Sequence, residues 1–454
     1  MPSPAERYAA ARHRNAHPEV TAFAGTFDFA LDAFQLDACA ALEEGRGVLV
    51  AAPTGAGKTV VGEFAVHLAL RRGLKCFYTT PIKALSNQKY RDLVGRYGPD
   101  RIGLLTGDTT INGEAPIVVM TTEVLRNMIY ADSSTIHTLG YVVMDEVHYL
   151  ADRFRGAVWE EVIIHLPQSV TVAALSATVS NAEEFGAWLE TVRGDTTVIV
   201  EEHRPVPLSQ HVLVGTRLHD LFADEIERIV NPELTRTALR EQRRGKAGDD
   251  RGRHRRQGRS ELTPYRFEVV ERLSSLDMLP AICFIFSRAG CDDAVRQALA
   301  SGLRLNASAE RQAVREYVLE ATRAIPDADL SALDFPEWLE GLERGIAAHH
   351  AGLLPTFKEV VEHLFQEGLL KVVYATETLA LGINMPARSV VLEKLIKWNG
   401  EAHVELTPGE YTQLTGRAGR RGIDVEGHGV VVWHGGLDPQ SLGGLASTRT
   451  YPLR

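Results

Sequence analysis

The segment APTGAGKT at 52–59 carries groups suited to holding phosphate, and it lies between the apolar run GVLVA and the helical pattern VVGEFAVHLALRR. Gly55 and Gly57 allow a backbone turn whose N–H groups face phosphate oxygens, and Lys58 adds a point charge for the β- and γ-phosphates. Thr59 offers a hydroxyl to Mg²⁺ at the N-terminus of the next helix. The order strand, glycine-rich loop, helix predicts a nucleotide-binding loop made of Pro53, Thr54, Gly55, Ala56, Gly57, Lys58 and Thr59.

Two adjacent carboxylates, Asp145 and Glu146, end the apolar run YVVM at 141–144. Neighbouring side chains of a strand point in different directions. One carboxylate can therefore address Mg²⁺ through water while the other positions and polarises an attacking water. Alone, such a pair is equally typical of solvated or capping carboxylates. After a phosphate-binding loop, it predicts hydrolysis of a nucleoside triphosphate.

Three arginines, Arg417, Arg420 and Arg421, are separated by small residues in QLTGRAGRRGID at 413–424. An arginine delivered to a γ-phosphate stabilises the charge that develops in phosphoryl transfer. The alternative is a basic loop that binds phosphates without specificity. The arginines lie far along the chain from the glycine-rich loop, so the first interpretation predicts a nucleotide held between two domains.

The elements that must position these residues are short apolar runs alternating with longer helical patterns, which is typical of α/β architecture. Several runs are continuous rather than alternating, as expected of parallel strands covered by helices on both faces. A gap after residue 200 separates two such blocks. The predicted strands are 47–53, 75–80, 116–121, 140–145, 170–175, 196–200, 281–286, 370–375, 388–393 and 428–433.

Composition and charge limit the class of protein. The 454 residues carry a net charge of −10, which is not typical of a nucleic-acid binder. Residues 236–260 hold ten Lys/Arg and three Asp/Glu, a net +7, so the rest of the chain carries −17. With no apolar run long enough to span a bilayer and no apolar leader, the chain is predicted to be cytoplasmic. The four cysteines form no CxxC pair and are predicted to be buried thiols.

Eight segments in a fixed order resemble the motifs of superfamily 2 helicases of the DExH class: APTGAGKT, TTPIKALSNQKY, TTEVLRNMIY, DEVH, LSATVSN, FIFSRAGC, ATETLALGINMPARSVV and QLTGRAGRR. The run from HHAGLLP to NMPARSVV is similar to that of the superkiller and exosome-cofactor RNA helicases and their actinobacterial relatives. The resemblance covers about residues 25–440. It implies two tandem RecA-like α/β domains, each a mostly parallel sheet flanked by helices. It also implies ATP and Mg²⁺ as ligands and 3′→5′ movement along single-stranded RNA.

The resemblance assigns roles by motif. Phe29 and Gln35 match the adenine-recognition motif, and Gly382 is expected near the nucleotide. The nucleotide site is completed from the second domain by Gln413, Arg417 and Arg420. The residues implied to contact the nucleic-acid strand are Pro81, Lys83, Thr106, Gly107, Thr121, Thr122, Ser287, Arg288 and Thr376. Ser176 and Thr178 match the motif that couples the state of the bound ATP to binding of the nucleic-acid strand.

The predicted organisation has five parts. They are an extension (1–24), a first RecA-like domain (25–205), a linker (206–269) with a basic, disordered insertion (236–260), a second RecA-like domain (270–440) and a tail (441–454). Relatives continue with a winged helix and a helical bundle, so the chain is expected to be a helicase core that ends early. The insertion is either an RNA-gripping arm or a solvated loop.

Several interpretations stay open. His148 either bridges the nucleotide site to the motif around Ser176 or is structural. His349 and His350 are expected to have a packing or interdomain role rather than to bind metal. Trp398 either stacks on a base or is a core or interface tryptophan. The functional alternatives are an RNA helicase, a DNA helicase in repair and a non-hydrolysing scaffold. A monomer is expected, with RNA-decay machinery as a candidate partner and no membrane.

Overall fold

A computed structural model describes residues 16–151, 156–177, 181–249, 262–379, 385–398 and 402–447. The chain divides into two compact units, the first ending at Arg204 and the second beginning at Pro205.

The first unit is built on an eight-stranded sheet in the order β4-β3-β5-β2-β6-β7-β1-β8. Its strands are parallel except for the short edge strand β4. The strands are β1 (Gly47–Ala51), β2 (Lys75–Thr80), β3 (Ile102–Leu105), β4 (Thr110–Ile111), β5 (Ile117–Thr121), β6 (Leu139–Met144), β7 (Thr171–Ser176) and β8 (Thr196–Val200).

Helices cover both faces of this sheet, and each face has its own apolar core. That arrangement explains the continuous apolar runs, because alternate residues of one strand enter different cores. In β6, for example, Val143 packs in one core and Val142 in the other. The helices are α1 (Pro18–Ala24), α2 (Ala33–Glu43), α3 (Thr59–Arg72), α4 (Lys83–Tyr97), α5 (Thr122–Tyr130), α6 (Gly156–His165) and α7 (Ala182–Arg193).

The second unit is built on a seven-stranded sheet in the order β10-β9-β19-β16-β13-β15-β14, with β10 antiparallel at one edge, and on two short antiparallel ribbons. The strands are β9 (Leu208–Val214), β10 (Arg217–Asp220), β11 (Phe222–Asp224), β12 (Ile229–Val230), β13 (Ala281–Phe284), β14 (Ile346–His349), β15 (Val372–Ala375), β16 (Ser389–Leu392), β17 (Ile396–Trp398), β18 (His403–Glu405) and β19 (Gly427–Val432).

Helices again flank this sheet over two apolar cores. They are α8 (Pro232–Asp249), α9 (Arg266–Ser275), α10 (Arg288–Ala300), α11 (Ser308–Ala321), α12 (Asp327–Ala332), α13 (Phe335–Glu343), α14 (Pro355–Gln366), α15 (Pro408–Thr415) and α16 (Pro439–Ser447). The two sheets confirm the predicted fold class of two mostly parallel, helix-flanked sheets.

All ten predicted strands are present within two or three residues at each end. Five further strands of the two main sheets were not predicted: β3, β4, β9, β10 and β14. Strand β14 (IAAH) is short and rich in small residues, so its sequence gives no strong β signal. Strand β9 (LSQHVLV) has three consecutive polar residues near its start, so it gives no continuous apolar run.

The structure corrects the prediction that residues 206–269 form a linker. Strand β9 pairs in parallel with β19 from Gly427↔Leu208 to Val432↔Leu213, so this segment is part of the second sheet. Residues up to 249 of the basic insertion are helical rather than irregular. Leu234 and Ala238 of α8 enter the core, and the Trp433 indole donates a hydrogen bond to Glu241 (2.9 Å). Residues 250–261 lie outside the described residues.

Candidate nucleotide and nucleic-acid sites

The glycine-rich loop connects β1 to α3, as the sequence predicts. Gly55 and Gly57 have φ values of +83° and +88°, which residues with a Cβ rarely adopt. A Cβ placed on Gly55 would meet no atom within 4 Å, so the loop is open on that side. Thr59 is the first residue of a 14-residue helix, whose free N–H groups and dipole favour an anion.

The Lys58 ammonium lies against its own loop. It donates hydrogen bonds to the backbone oxygens of Ala52 (2.8 Å) and Pro53 (3.1 Å). Burial lowers the pKa of Lys58, and the charges of Glu146 and Asp145 oppose that shift. The charges of Lys58, Asp145 and Glu146 therefore act on one another within the first unit.

Asp145 is fixed by two hydrogen bonds at the end of β6. Its Oδ2 accepts from the Tyr78 hydroxyl (2.9 Å), and its Oδ1 accepts from the Glu146 backbone N–H (3.0 Å). Burial, together with the charge of Glu146, raises the pKa of Asp145. Glu146 itself has a φ of +57°, an unfavourable conformation for a residue with a side chain. Strained backbone of this kind is often found at functional sites.

His148 connects this segment to the end of β7. Its Nδ1 accepts a hydrogen bond from the Ala177 N–H (3.3 Å) and lies 3.3 Å from Glu146 Oε2. Burial lowers the pKa of His148 to about 3, so the ring is neutral at ordinary pH. The contact supports the bridging interpretation of His148. The buried Ser176 hydroxyl has no hydrogen-bond partner in the part of the chain that the structure describes, and Thr178 lies outside it.

The predicted adenine-recognition residues lie before and within α2. The Phe29 ring is 49% exposed and 5.1 Å from the ring of Phe27, so one of its surfaces is available to a ligand. Gln35 is fully buried. Its amide accepts from the Asp32 N–H (2.8 Å) and donates to the Gly57 oxygen (2.9 Å), so Gln35 supports the glycine-rich loop directly.

The first sheet brings these groups to one edge. Because its strands are parallel, their carboxyl ends meet there. The neighbouring ends of β6, β7 and β1 carry Asp145, Ser176 and the glycine-rich loop. The ends of β3, β5 and β2, on the other half of the same edge, carry the residues implied to contact a nucleic-acid strand.

Those strand-contacting residues of the first unit differ in accessibility. Lys83 and Gly107 are exposed and Thr121 is half-buried, whereas the remaining three, Pro81, Thr106 and Thr122, are buried. The Lys83 ammonium is already paired with Asp108 (2.7 Å), a residue that the sequence did not single out. The Thr106 hydroxyl donates to the same carboxylate (3.1 Å), so Asp108 connects two of the predicted motifs.

In the second unit, the predicted strand-contacting residues follow β13 and β15. Ser287 and Arg288 are exposed, and the Ser287 hydroxyl caps α10 by accepting from the Gly290 N–H (3.1 Å). Thr376 is buried, and its N–H donates to the His349 oxygen (3.3 Å). Gly382 lies outside the described residues.

The predicted arginines occupy the opposite edge of the second sheet. Ala418 forms an isolated parallel bridge with Ala387, just before the start of β16, and Gly419 donates to the Ala387 oxygen (2.7 Å). Arg417, Arg420 and Gln413 are half-buried there. These groups therefore lie near the amino ends of β16 and β19. In the same sheet, Ser287 and Thr376 follow the carboxyl ends of β13 and β15.

Arg420 has a partner that was not predicted. Its guanidinium makes two hydrogen bonds of 2.8 Å to the Asp424 carboxylate, and its backbone N–H makes a third. Hydrogen bonding to Asp424 raises the pKa of Arg420. Burial raises the pKa of Asp424, but the Arg420 hydrogen bonds outweigh it and the net shift is downward. An acidic residue four positions after an arginine is the signal that could have identified this pair.

The two adjacent histidines each pair with a carboxylate of their own unit. His349 lies 3.0 Å from Glu362, and His350 lies 2.9 Å from Asp292 on α10. Trp398, in contrast, is 52% exposed on the ribbon of β17 and β18, so it is not a core tryptophan, and stacking on a base and an interface role stay predictions. None of the helices in the described ranges is long and apolar enough to cross a membrane.

The residues fit a nucleoside triphosphate with Mg²⁺. The positive-φ glycines and the helix N-terminus suit phosphate oxygens. Thr59 and Asp145 offer hard oxygen ligands. That pattern suits Mg²⁺, which in nucleotide sites takes one or two protein ligands and completes its shell with phosphates and water.

A glycine-rich loop, a strand-terminal Asp–Glu pair and a parallel sheet define the first unit as a nucleotide-binding unit of the P-loop type. The family model for DEAD/DEAH box helicases matches residues 32–185, and that for the helicase conserved C-terminal domain matches residues 318–422. The chain belongs to the DEAD/DEAH box helicases, a family of ATP-dependent hydrolases.

The relatives of the chain indicate which helicases of this family it is similar to. The chain is 62% identical over 443 residues to "Probable helicase HelY" of Mycobacterium tuberculosis, a match that covers 96% of this chain and 49% of the relative. It is 42% identical to "DExH-box ATP-dependent RNA helicase DExH15 chloroplastic" of Arabidopsis thaliana (89% and 37% covered). It is 40% identical to the human "Exosome RNA helicase MTR4" (90% and 39% covered). The chain thus spans about half or less of the length of these relatives.

Proposed function

We propose that the chain is the ATP-hydrolysing core of an RNA helicase that moves 3′→5′ along a single strand. The observation that carries this proposal is the single electrostatic site formed by Lys58, Asp145 and Glu146 at one sheet edge, beside exposed candidate contacts for a nucleic-acid strand. The two sites share the first sheet, so a change at one can be transmitted to the other through its strands.

The residues of the first unit divide the work on ATP. Backbone N–H groups of 54–59 and the Lys58 ammonium hold the phosphates, and the exposed Phe29 ring stacks on the base. Thr59 and Asp145 would hold Mg²⁺, which neutralises phosphate charge when bound. Glu146 orients the attacking water, and its strained backbone keeps that carboxylate beside His148.

We assign the remaining catalytic charge to the second unit. Gln413, Arg417 and Arg420 complete the nucleotide site, and arginine stabilises the transition state of phosphoryl transfer. Asp424 holds the Arg420 guanidinium in one orientation, which reduces the entropy lost when that group meets a phosphate.

Recognition of the strand is local rather than broad. A chain with −17 outside one segment cannot rely on a wide basic surface. Lys83, Ser287 and Arg288 are exposed, and contacts to phosphate and sugar carry little sequence preference. His148, through the Ala177 N–H, couples the Asp–Glu segment to the motif of Ser176 and Thr178. Two of the relatives are named as RNA helicases, which favours RNA over DNA as the substrate of this chain.

The experiment measures ATP turnover with no polymer, with single-stranded RNA and with single-stranded DNA of matched length. We expect stimulation by RNA well above that by DNA. Stimulation by DNA alone would replace the proposal with a DNA helicase, and turnover equal to that of Glu146→Gln in all three conditions would indicate a scaffold.

The direction of movement is measured separately, with RNA duplexes that carry either a 3′ or a 5′ overhang. Displacement from the 5′ overhang alone would contradict 3′→5′ movement.

A further inference from the structure

The Tyr78 hydroxyl makes its hydrogen bond to Asp145 from inside the protein. The tyrosine is fully buried in the middle of β2, and its hydroxyl lies 2.9 Å from Asp145 Oδ2. Among the described residues, this is the one hydrogen bond of that hydroxyl. Burial and the charge of Asp145 raise the pKa of Tyr78 well above its usual value, so the group remains a donor at every working pH.

The Tyr78 ring is held in place on two sides. A Cβ placed on Gly62 of α3 would lie 3.1 Å from Cε2 of Tyr78, so glycine at 62 gives the ring room to pack against the helix of the glycine-rich loop. The Lys89 ammonium lies 5.4 Å from the centre of the same ring. The hydroxyl is therefore a fixed donor rather than a group free to follow the carboxylate.

The consequence for Asp145 is a carboxylate fixed at both oxygens. Tyr78 donates to Oδ2, and the Glu146 N–H donates to Oδ1. The second of these bonds also holds the backbone of Glu146 at its positive φ. The Tyr78 hydroxyl thus fixes Asp145, the residue assigned to Mg²⁺. Through Asp145 it also fixes Glu146, the residue assigned to the attacking water.

We propose that Tyr78 is a positioning residue that orients Asp145 toward Mg²⁺ and stabilises the strained backbone of Glu146. The inference rests on the proposed function. It differs from the motif assignments because Tyr78 immediately precedes the motif TTPIKALSNQKY and is given no role at the nucleotide or the nucleic-acid strand by the resemblance.

The test is the gain in affinity for a fluorescent ATP analogue when Mg²⁺ replaces EDTA. We expect Tyr78→Phe to bind the analogue in EDTA as the wild type does, and to lose about tenfold of the gain from Mg²⁺, as expected for a lost hydrogen bond to a charged group. Introducing 3-fluorotyrosine at position 78, which keeps the ring and the donor, should restore the wild-type gain.

Tyr141→Phe is the matched control. Tyr141 is also a buried tyrosine of the first sheet, but its hydroxyl accepts from Arg72 at the other end of the strands. Its gain from Mg²⁺ should equal that of the wild type. An unchanged gain in Tyr78→Phe, or equal losses in both variants, would overturn the inference. If the wild type itself showed no gain from Mg²⁺, the proposed nucleotide site would fail instead.

Discussion

The two units share an architecture but distribute their candidate functional residues differently. In the first unit, the nucleotide loop, the Asp–Glu pair and the strand-contacting residues all lie at the carboxyl edge of the sheet. In the second unit, Ser287, Arg288 and Thr376 lie at the carboxyl edge, whereas Arg417 and Arg420 lie near the amino ends of β16 and β19.

Under the proposed function, this difference places nucleotide binding and activation of water in the first unit and the charge that stabilises the transition state in the second. Under the proposed function, the first unit holds the phosphates and Mg²⁺ with its own residues Lys58, Thr59 and Asp145. The proposed function assigns the remaining groups for catalysis, Gln413, Arg417 and Arg420, to the second unit. Changes in the first unit should therefore alter nucleotide affinity or the attacking water, and changes to the arginines should alter the rate of hydrolysis.

The largest effect is expected from the arginines. Arg417→Ala and Arg420→Ala should each lower RNA-stimulated turnover by about 10³-fold, because the charge of the transition state loses a partner. Affinity for a fluorescent nucleotide should stay within about threefold, since the first unit supplies most of the ground-state contacts. The exposed Arg323 provides the control, and Arg323→Ala should leave both quantities unchanged. An equal loss of affinity and rate would remove the distinction between the units.

Glu146→Gln tests the water-activating carboxylate of the first unit. We expect turnover to fall by about 10²–10⁴-fold, because general-base assistance is lost while the amide keeps the shape of the side chain. Nucleotide binding measured by fluorescence should be retained. Glu114→Gln, a carboxylate paired with Lys75 at the amino end of β2, should behave as the wild type. Normal turnover in Glu146→Gln would contradict the assigned role.

Lys58→Ala should act on binding instead. The loss of a charged donor to phosphate is expected to weaken nucleotide affinity roughly 10–100-fold. Lys75→Ala, which removes an ammonium from the opposite edge of the same sheet, is the matched control and should change affinity little. Isothermal titration with a non-hydrolysable analogue measures both, and equal affinities would place the phosphates elsewhere.

His148 should make the stability of the first unit depend on pH. Its folded pKa of about 3 lies below the ordinary 6.5, so the unfolded chain binds a proton that the folded chain does not. Stability is therefore lost as the pH falls below about 6.5, by about 2 kcal/mol between pH 7 and pH 5. Hydrogen exchange of amides in β6 and β7 measures this loss. The loss of stability between pH 7 and pH 5 should be smaller in His148→Gln than in the wild type. In the control His137→Gln, which changes an exposed histidine, the loss should equal that of the wild type.

The smallest effect is expected at the ends of β3, β5 and β2 in the first sheet, which carry the residues implied to contact a nucleic-acid strand. Asp108→Asn frees the Lys83 ammonium for phosphate and should tighten binding of single-stranded RNA about two- to threefold at low salt. The log–log salt slope should steepen by up to about 0.7. Glu114→Gln also frees a lysine, but at the other end of β2, and should not tighten binding. Tighter binding in both variants would indicate general charge rather than a local contact.

Much of the site could be predicted because its signals are local. A glycine-rich loop between a strand and a helix, and carboxylates at the end of an apolar run, depend on residues that are neighbours in the chain. The strands of the buried sheets were recognisable for the same reason. Tyr78 could not be identified in this way, because its partner Asp145 lies 67 residues away. Helix α8 was missed because composition alone gave no sign of the core contacts of Leu234 and Ala238.

The sequence by itself determined the chemistry of this protein: a phosphate loop, an Asp–Glu pair and the order of motifs that mark a helicase core. Residue type and short-range spacing determine which reactive groups exist, and parallel strands bring those of the first unit to one edge. Only the tertiary structure decided that Tyr78 is bonded to Asp145, that Lys83 is paired with Asp108 and that the arginines lie near the amino ends of the strands of their sheet. Those pairings depend on how loops from separate elements pack, and packing is a property of the whole unit rather than of any one segment.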